Sequence, residues 1–304
     1  MSHFNIHGIC AATHTPFAAD GSLNLAAVEK QRDHLLSRKV TQVFIGGSTG
    51  ESHSVSTSER LALADRWMAA AKGTEMRVIV HVGSNNLRDA AELAAHAQKV
   101  GAAAVSMLSP SYFKPRTLAD LIACCEIVAK AAPALPFYYY DIPVLTGVNF
   151  SMEEFLNTAP ARIPNLAGIK YTNPDLMAYQ LARRGGGGKF DLPWGCDEFF
   201  LAALALGAQG AVGSTFNFAP GIYQRLQKAY QAGDMATAQA EQFRSVQLVQ
   251  TVAKRGYMGS AKALMNHLGV PVGPARLPNS NPDADGVAAM IKELEAIGFF
   301  GWKD

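Results

Sequence analysis

Five kinds of pattern are missing from this 304-residue chain, and each absence removes a class of function. Its 27 lysines and arginines form no dense block beyond Arg183-Arg184 and the net charge is only +2, so neither nucleic acid nor an anionic membrane surface is expected as a partner. Cysteine is scarce: Cys10, Cys124, Cys125 and Cys196 make no CxxC pair and no disulfide-like framework, which suits reduced cytosolic thiols. No apolar run approaches a membrane span, and the opening MSHFNIHGICAATHTPF lacks a basic leader segment; the expectation is a soluble, cytoplasmic protein. No GxGxxG follows the first apolar run, so a dinucleotide fold lacks its usual sign. Histidines give no ligand set either: His3 and His7 stand four apart with no carboxylate to complete a site, His14, His53 and His81 fit packing or solvation, and no metal is expected.

What is present is ample core material. Hydrophobic residues make up 49% and charged ones 17%, the balance of a globular chain long enough for two ordinary domains or one large barrel. Apolar, β-branched or aromatic runs at residues 6–12, 42–45, 77–82, 103–108, 136–140, 165–172, 192–195 and 211–214 alternate with segments of helical period. Helix starts are marked by Ser56 with Glu59 and by Ser151 with Glu154, both read as capping boxes. Cys124-Cys125 falls inside a helical pattern, so packing is favoured over redox work, and Arg183-Arg184-Gly185-Gly186-Gly187-Gly188-Lys189 precedes a strand and reads as a turn, not a phosphate cradle.

Eight strand–helix units imply parallel pairing and predict an α/β protein, a closed (β/α)8 TIM barrel. From residue 220 onward the pattern is helical, about 70 residues more than one barrel unit needs. The expected division is a barrel over 1–232 and a C-terminal helical extension over 233–304, packed on the barrel or on a neighbouring subunit.

The stretch 165–172 organises the functional reading. It is an apolar run bounded by Pro164 and Pro174, a strand buried on both faces, yet Lys170 lies at its end. On the surface such a lysine does nothing; enclosed, it loses the water that favours its charge, and a neutral amine attacks carbonyls. At the same end of the other strands the string places Ser48, Thr49 and Glu51, then Tyr112, Tyr140, Asp197, Glu198 and Ser214. Each has a plainer account: a polar turn for GGSTGE, aromatic packing for Tyr138, Tyr139 and Tyr140, with Tyr139 turned away from the other two.

Four segments, GGSTGE at 46–51, YYYDIPVLTGV at 138–148, GIK at 168–170 and GAVGST at 210–215, resemble in order and spacing the N-acetylneuraminate lyase and dihydrodipicolinate synthase family of Schiff-base aldolases. The resemblance spans nearly the whole chain. It implies that Lys170 forms an imine with a 2-keto acid, that Tyr140 shuttles protons, and that Ser48 and Thr49 hold the substrate carboxylate. Tyr112 matches a tyrosine contributed across a subunit contact to a relay with Ser48 and Tyr140, within a homotetramer. No cofactor is implied.

The resemblance is greater to the sialic acid lyases. At Leu145 the synthase branch commonly carries an arginine for a second carboxylate, which an apolar side chain cannot pair. Thr172, Gly195, Asp197, Glu198 and Ser214 then match positions that contact the hydroxylated sugar tail. Asp141 departs from the asparagine or histidine of that branch. The implied reaction is cleavage of N-acetylneuraminate, or a close 2-keto-3-deoxy sugar acid, to pyruvate and an aldose. The rivals are dehydration or cleavage of a shorter keto acid, a synthase-like reaction, and a sugar-acid binder without catalysis.

Overall fold

Among the described residues seven short strands run parallel in the order β6-β5-β4-β3-β2-β1-β7. They are β1 (Gly8–Ala12), β2 (Gln42–Ile45), β3 (Arg77–His81), β4 (Ala104–Leu108), β5 (Phe137–Asp141), β6 (Leu166–Tyr171) and β7 (Gly210–Gly213). The computed structural model describes residues 4–304, so His3 lies outside the described residues.

The eighth position of the ring is filled, but not by a regular strand. Between β6 and β7, Asp191 bridges Gly168, and Trp194 bridges both Tyr171 and Ala211. Asp191 N donates to Ala167 O at 3.1 Å and Gly195 N to Tyr171 O at 2.8 Å, while Val212 N donates to Trp194 O at 2.8 Å, closing the barrel. The predicted strand at 192–195 is therefore corrected to a bridged segment. The rung that would run from residue 193 to Ile169 is missing because Pro193 has no N–H.

Every strand alternates. Cys10, Ala12, Phe44, Ile79, Ala104, Leu108, Tyr138, Tyr140 and Val212 form one buried cluster inside the barrel. Their neighbours, among them Ile9, Val43, Val80, Met107, Tyr139 and Ile169, belong to a second cluster between the strands and the covering helices. Tyr139 accordingly packs on Phe155, ring centroids 5.1 Å apart, while Tyr138 and Tyr140 face inward, as the two-residue period requires.

The covering helices are α1 (Val28–Ser37), α2 (Thr57–Ala71), α3 (Leu87–Lys99), α4 (Leu118–Ala131), α5 (Pro143–Thr146), α6 (Met152–Thr158), α7 (Leu176–Ala182), α8 (Phe200–Ala205) and α9 (Pro220–Gln231). α2 opens with the expected complete box between Ser56 and Glu59. At Ser151 only half of the expected box forms, with Ser151 Oγ accepting from Glu154 N at 3.2 Å; the other complete box is Thr117 with Asp120, where the shorter acid serves. Cys124 and Cys125 lie within α4, Cys125 fully buried. Residues 185–188 form a tight turn with Gly186, Gly187 and Gly188 at positive φ.

Beyond α9 come α10 (Met235–Ala253), α11 (Tyr257–His267), α12 (Ala284–Ala296) and α13 (Phe299–Trp302). Leu248, Leu264, Met290 and Phe299 from these four helices join the same apolar cluster that backs the strands, so they pack on the barrel. Among the described residues no helix is long and apolar enough to cross a membrane.

Candidate active site

Inward-facing positions at the strands' C-terminal ends converge on Lys170. It stands opposite Tyr140 in the β5–β6 register and is only 3% exposed. Its Nζ lies 3.9 Å from the centroid of the Tyr140 ring and 4.1 Å from that of Phe44. Two aromatic faces thus fix where the amine can sit, a placement that alternation along β2, β5 and β6 dictates. The Tyr140 ring is wedged edge-on against Phe44 and His81, at centroid distances of 5.7 and 5.9 Å, and its hydroxyl reaches Ser48 Oγ at 3.4 Å.

Ser48 belongs to the turn at the end of β2, in which the carbonyls of Gly46, Gly47, Ser48 and Gly50 are occupied. Gly46 O accepts from His81 Nδ1 at 2.9 Å, and Gly50 O from Thr15 Oγ1 at 2.6 Å. Gly47 O accepts from Ser52 N at 3.2 Å, and Ser48 O from Glu51 N at 3.0 Å. Among the described residues the N–H groups of 47–50 donate to no protein acceptor. Largely engaged carbonyls beside unengaged N–H groups and the half-buried hydroxyls of Ser48 and Thr49 make a set of donors suited to a carboxylate.

His81 is held neutral well below the ordinary histidine range, first by burial and then by the Arg60 guanidinium. Its bonding fixes the tautomer: Nδ1–H donates to Gly46 O, and Nε2 accepts from Leu108 N at 3.3 Å. Arg60 in turn donates to His81 O and Gly83 O, both at 2.8 Å. His81 is a strut for the turn.

The positions matched to the sugar tail line up on the β6, bridged-segment and β7 side. Gly195 passes so close to β6 that an added Cβ would fall 1.8 Å from Thr172 Oγ1, and at Gly213 it would fall 2.2 Å from Asp197 Oδ1. Asp197 is buried, and burial raises its carboxyl to about 6, against the downward pull of two bonds to Oδ2 from Thr215 N at 2.9 Å and Thr215 Oγ1 at 2.6 Å. Behind it Thr215 meets Tyr223 of α9 at 2.6 Å, and Tyr223 meets Ser245 of α10 at 2.7 Å. One hydroxyl proton each leaves a single consistent order, Ser245 to Tyr223 to Thr215 to Asp197. Ser214 Oγ is bonded to Tyr257 OH at 2.6 Å, and Glu198 is half-buried in the same turn as Asp197.

The structure places three further residues, and for Glu51 the expectation changes. Tyr112 does not reach Ser48 or Tyr140 within the chain; it is 78% exposed, edge-on to the still more exposed Phe113 at 4.9 Å. Glu51, expected on the rim, has a fully buried side chain paired with Lys262 Nζ at 2.8 Å. Asp141 lies on the outer side of the wall, opposite Tyr171, where Oδ2 has no partner among the described residues and burial lifts the carboxyl to about 7 despite a bond from Asn173.

Lys262, Arg60 and Tyr257 escape the sequence reading. A signal existed for the first: in α11, Lys262 sits between Ala261 and Leu264 on the buried face, and a lysine there demands a carboxylate. Burial pulls its ammonium down to about 8, with Glu51 pushing back up.

Residues 5–297 match the Dihydrodipicolinate synthetase family. The N-acetylneuraminate lyase of Gallus gallus is 38% identical over 296 residues, covering 96% of each chain. Among solved structures, Proteus mirabilis N-acetylneuraminate lyase superposes with a TM-score of 0.94 at 36% identity, covering 97% of this chain and 100% of that one. The dihydrodipicolinate synthase of Cyanidioschyzon merolae gives 0.89 at 29% identity, covering 96% and 98%.

Proposed function

This chain belongs to the dihydrodipicolinate synthetase family, is a class I aldolase of N-acetylneuraminate lyase type, and from that premise we propose that it cleaves N-acetylneuraminate to pyruvate and N-acetylmannosamine. The observation that carries the reading is the meeting of Lys170, Tyr140 and Ser48 at one mouth of the barrel. The higher identity to lyases than to the synthase, and the apolar, 63% exposed Leu145 on α5, favour a monocarboxylic substrate.

In this scheme Ser48, Thr49 and the N–H groups of 47–50 seat the carboxylate, presenting the adjacent C2 carbonyl to Lys170 Nζ. Attack, proton transfer and loss of water give a protonated imine, which draws electrons from the C3–C4 bond. Tyr140 takes the C4 hydroxyl proton as that bond breaks. The aldose leaves, the enamine is protonated at C3, and hydrolysis frees pyruvate and the lysine. Because the imine is the electron sink, the chemistry calls for no cofactor.

Thr172, Gly195, Asp197, Glu198 and Ser214 take the hydroxylated tail. Tyr112, exposed beside Phe113, is offered to a neighbouring copy and joins that copy's Ser48–Tyr140 pair in a cytoplasmic homotetramer. The deciding assay compares pyruvate release from N-acetylneuraminate and from 2-keto-3-deoxygluconate, with the aldose identified. Preferred turnover of the shorter acid would replace the proposed substrate, and binding without pyruvate release would remove the enzymatic reading.

A further inference from the structure

The turn that carries Ser48 and Thr49 is anchored by the far end of the chain. Glu51 closes it with a left-handed backbone, φ 56°, a conformation costly for a residue other than glycine unless its surroundings impose it. The surroundings come from α11 and the segment after it. Glu51 Oε1 accepts from Lys262 Nζ at 2.8 Å; Oε2 accepts from Arg276 N at 2.8 Å and from Asn279 Nδ2 at 3.3 Å.

Two of these partners are themselves pinned to the barrel. Lys262 also donates to Thr15 O at 2.9 Å, in the same stretch whose Thr15 hydroxyl holds Gly50 O, and its Nζ sits 4.1 Å from the Phe17 ring centroid. The Arg276 guanidinium covers Phe17 at 4.0 Å, and its Nη1 bonds Ser54 O and Glu59 Oε2, each at 2.9 Å. Side-chain exposure is 0% for both Lys262 and Glu51. Burying such a pair costs so much solvation that it is a poor source of stability, and an apolar pair of similar shape usually folds as well. What a buried, multiply bonded pair does supply is a single geometry.

We propose that Lys262 and Glu51 are positioning residues for the carboxylate seat, so that the C-terminal helices set how tightly the keto acid is held. Glu51 N fixes Ser48 O, and Lys262 fixes Glu51; without the ammonium the carboxylate turns toward water, the left-handed residue relaxes, and the donors of the turn lose their fixed arrangement. Lys262 touches no reacting atom and acts through Glu51. The inference rests on the reading of Ser48 and Thr49 as that seat.

The test is borohydride trapping of pyruvate on the full-length protein across a pyruvate concentration series, in wild type, Lys262→Met and the double variant Lys262→Met with Glu51→Gln. Positioning predicts that the half-saturating pyruvate concentration rises at least tenfold in Lys262→Met, while the fraction trapped at saturation stays at the wild-type level. In the double variant the thermal midpoint returns toward wild type, because no charge is left buried, yet half-saturation remains raised; a purely structural pair would restore both together. The double variant also serves if Lys262→Met alone does not fold. Half-saturation within twofold of wild type in either folded variant overturns the inference. Absence of trapping in the wild type overturns the seat and imine reading, and this inference with it.

Discussion

At the scale of single residues the account makes separable demands on Lys170, Tyr140 and Asp141. Replacing Tyr140 with Phe keeps the aromatic face under the amine, 3.9 Å away, and removes only the hydroxyl. Cleavage should fall by about 10²–10⁴-fold, the usual loss of a proton-transfer group, while pyruvate is still trapped by borohydride. Retained cleavage would hand the proton to another group. Asp141 gives a pH prediction. Its carboxyl titrates at about 7 folded and near 3.8 unfolded, so between those values the folded state binds the proton more strongly. That contribution to stability is complete below about 3.8 and is lost as pH rises through about 7. Asp141→Asn, with no charge to desolvate, should therefore raise stability by about 1–3 kcal/mol above that range and change little at acid pH. Denaturation midpoints at both ends check it; an equal effect at the two ends would contradict the assignment. The placement of Lys170 beside Tyr140 was legible because both sit at the ends of short, strongly patterned strands. The burial of Asp141 was not, because a residue just past a strand's inward tyrosine turns outward, toward neighbours distant in sequence.

Elements were legible where period and local chemistry agreed, and misread where one residue overrode the pattern. The run at 192–195 has a strand's composition, yet Pro193 removes one rung, a loss invisible to hydropathy alone. Ser151 with Glu154 satisfies the capping-box spacing without closing the return bond, whereas Thr117 with Asp120 closes it with an acid outside the usual pattern. The Ser56 box is complete, and Ser56→Ala should destabilise by about 1 kcal/mol, measurable by denaturant titration, with pyruvate trapping unchanged. A sharper element-scale test lies at the bridged segment. Gly195→Ala puts a Cβ 1.8 Å from Thr172 Oγ1, so the segment and β6 must part just where the tail is proposed to lie. KM for N-acetylneuraminate should rise at least about tenfold, a loss of roughly 1.4 kcal/mol, with pyruvate trapping little altered. An unchanged KM would move the tail site elsewhere.

For the whole molecule, eight alternating units were enough to announce a closed barrel, because parallel strands with covering helices leave few other ways to bury both faces. The part that linear reading lost is the return of the C-terminal helices to the mouth: Lys262 meets Glu51 across 211 positions, and no local period encodes such a contact. The exposed Tyr112 and Phe113 make assembly part of the proposed function. Sedimentation should find four chains together, and Tyr112→Ala should lower cleavage by about tenfold or more with the imine still formed; full cleavage in that variant would confine the relay to one chain. The most direct test of the central claim is to incubate the protein with pyruvate, reduce with borohydride and map the adduct by mass spectrometry. The account predicts one reduced pyruvyl group per chain, on Lys170, and none in Lys170→Ala. An adduct on another lysine, or full N-acetylneuraminate cleavage by Lys170→Ala, would contradict it.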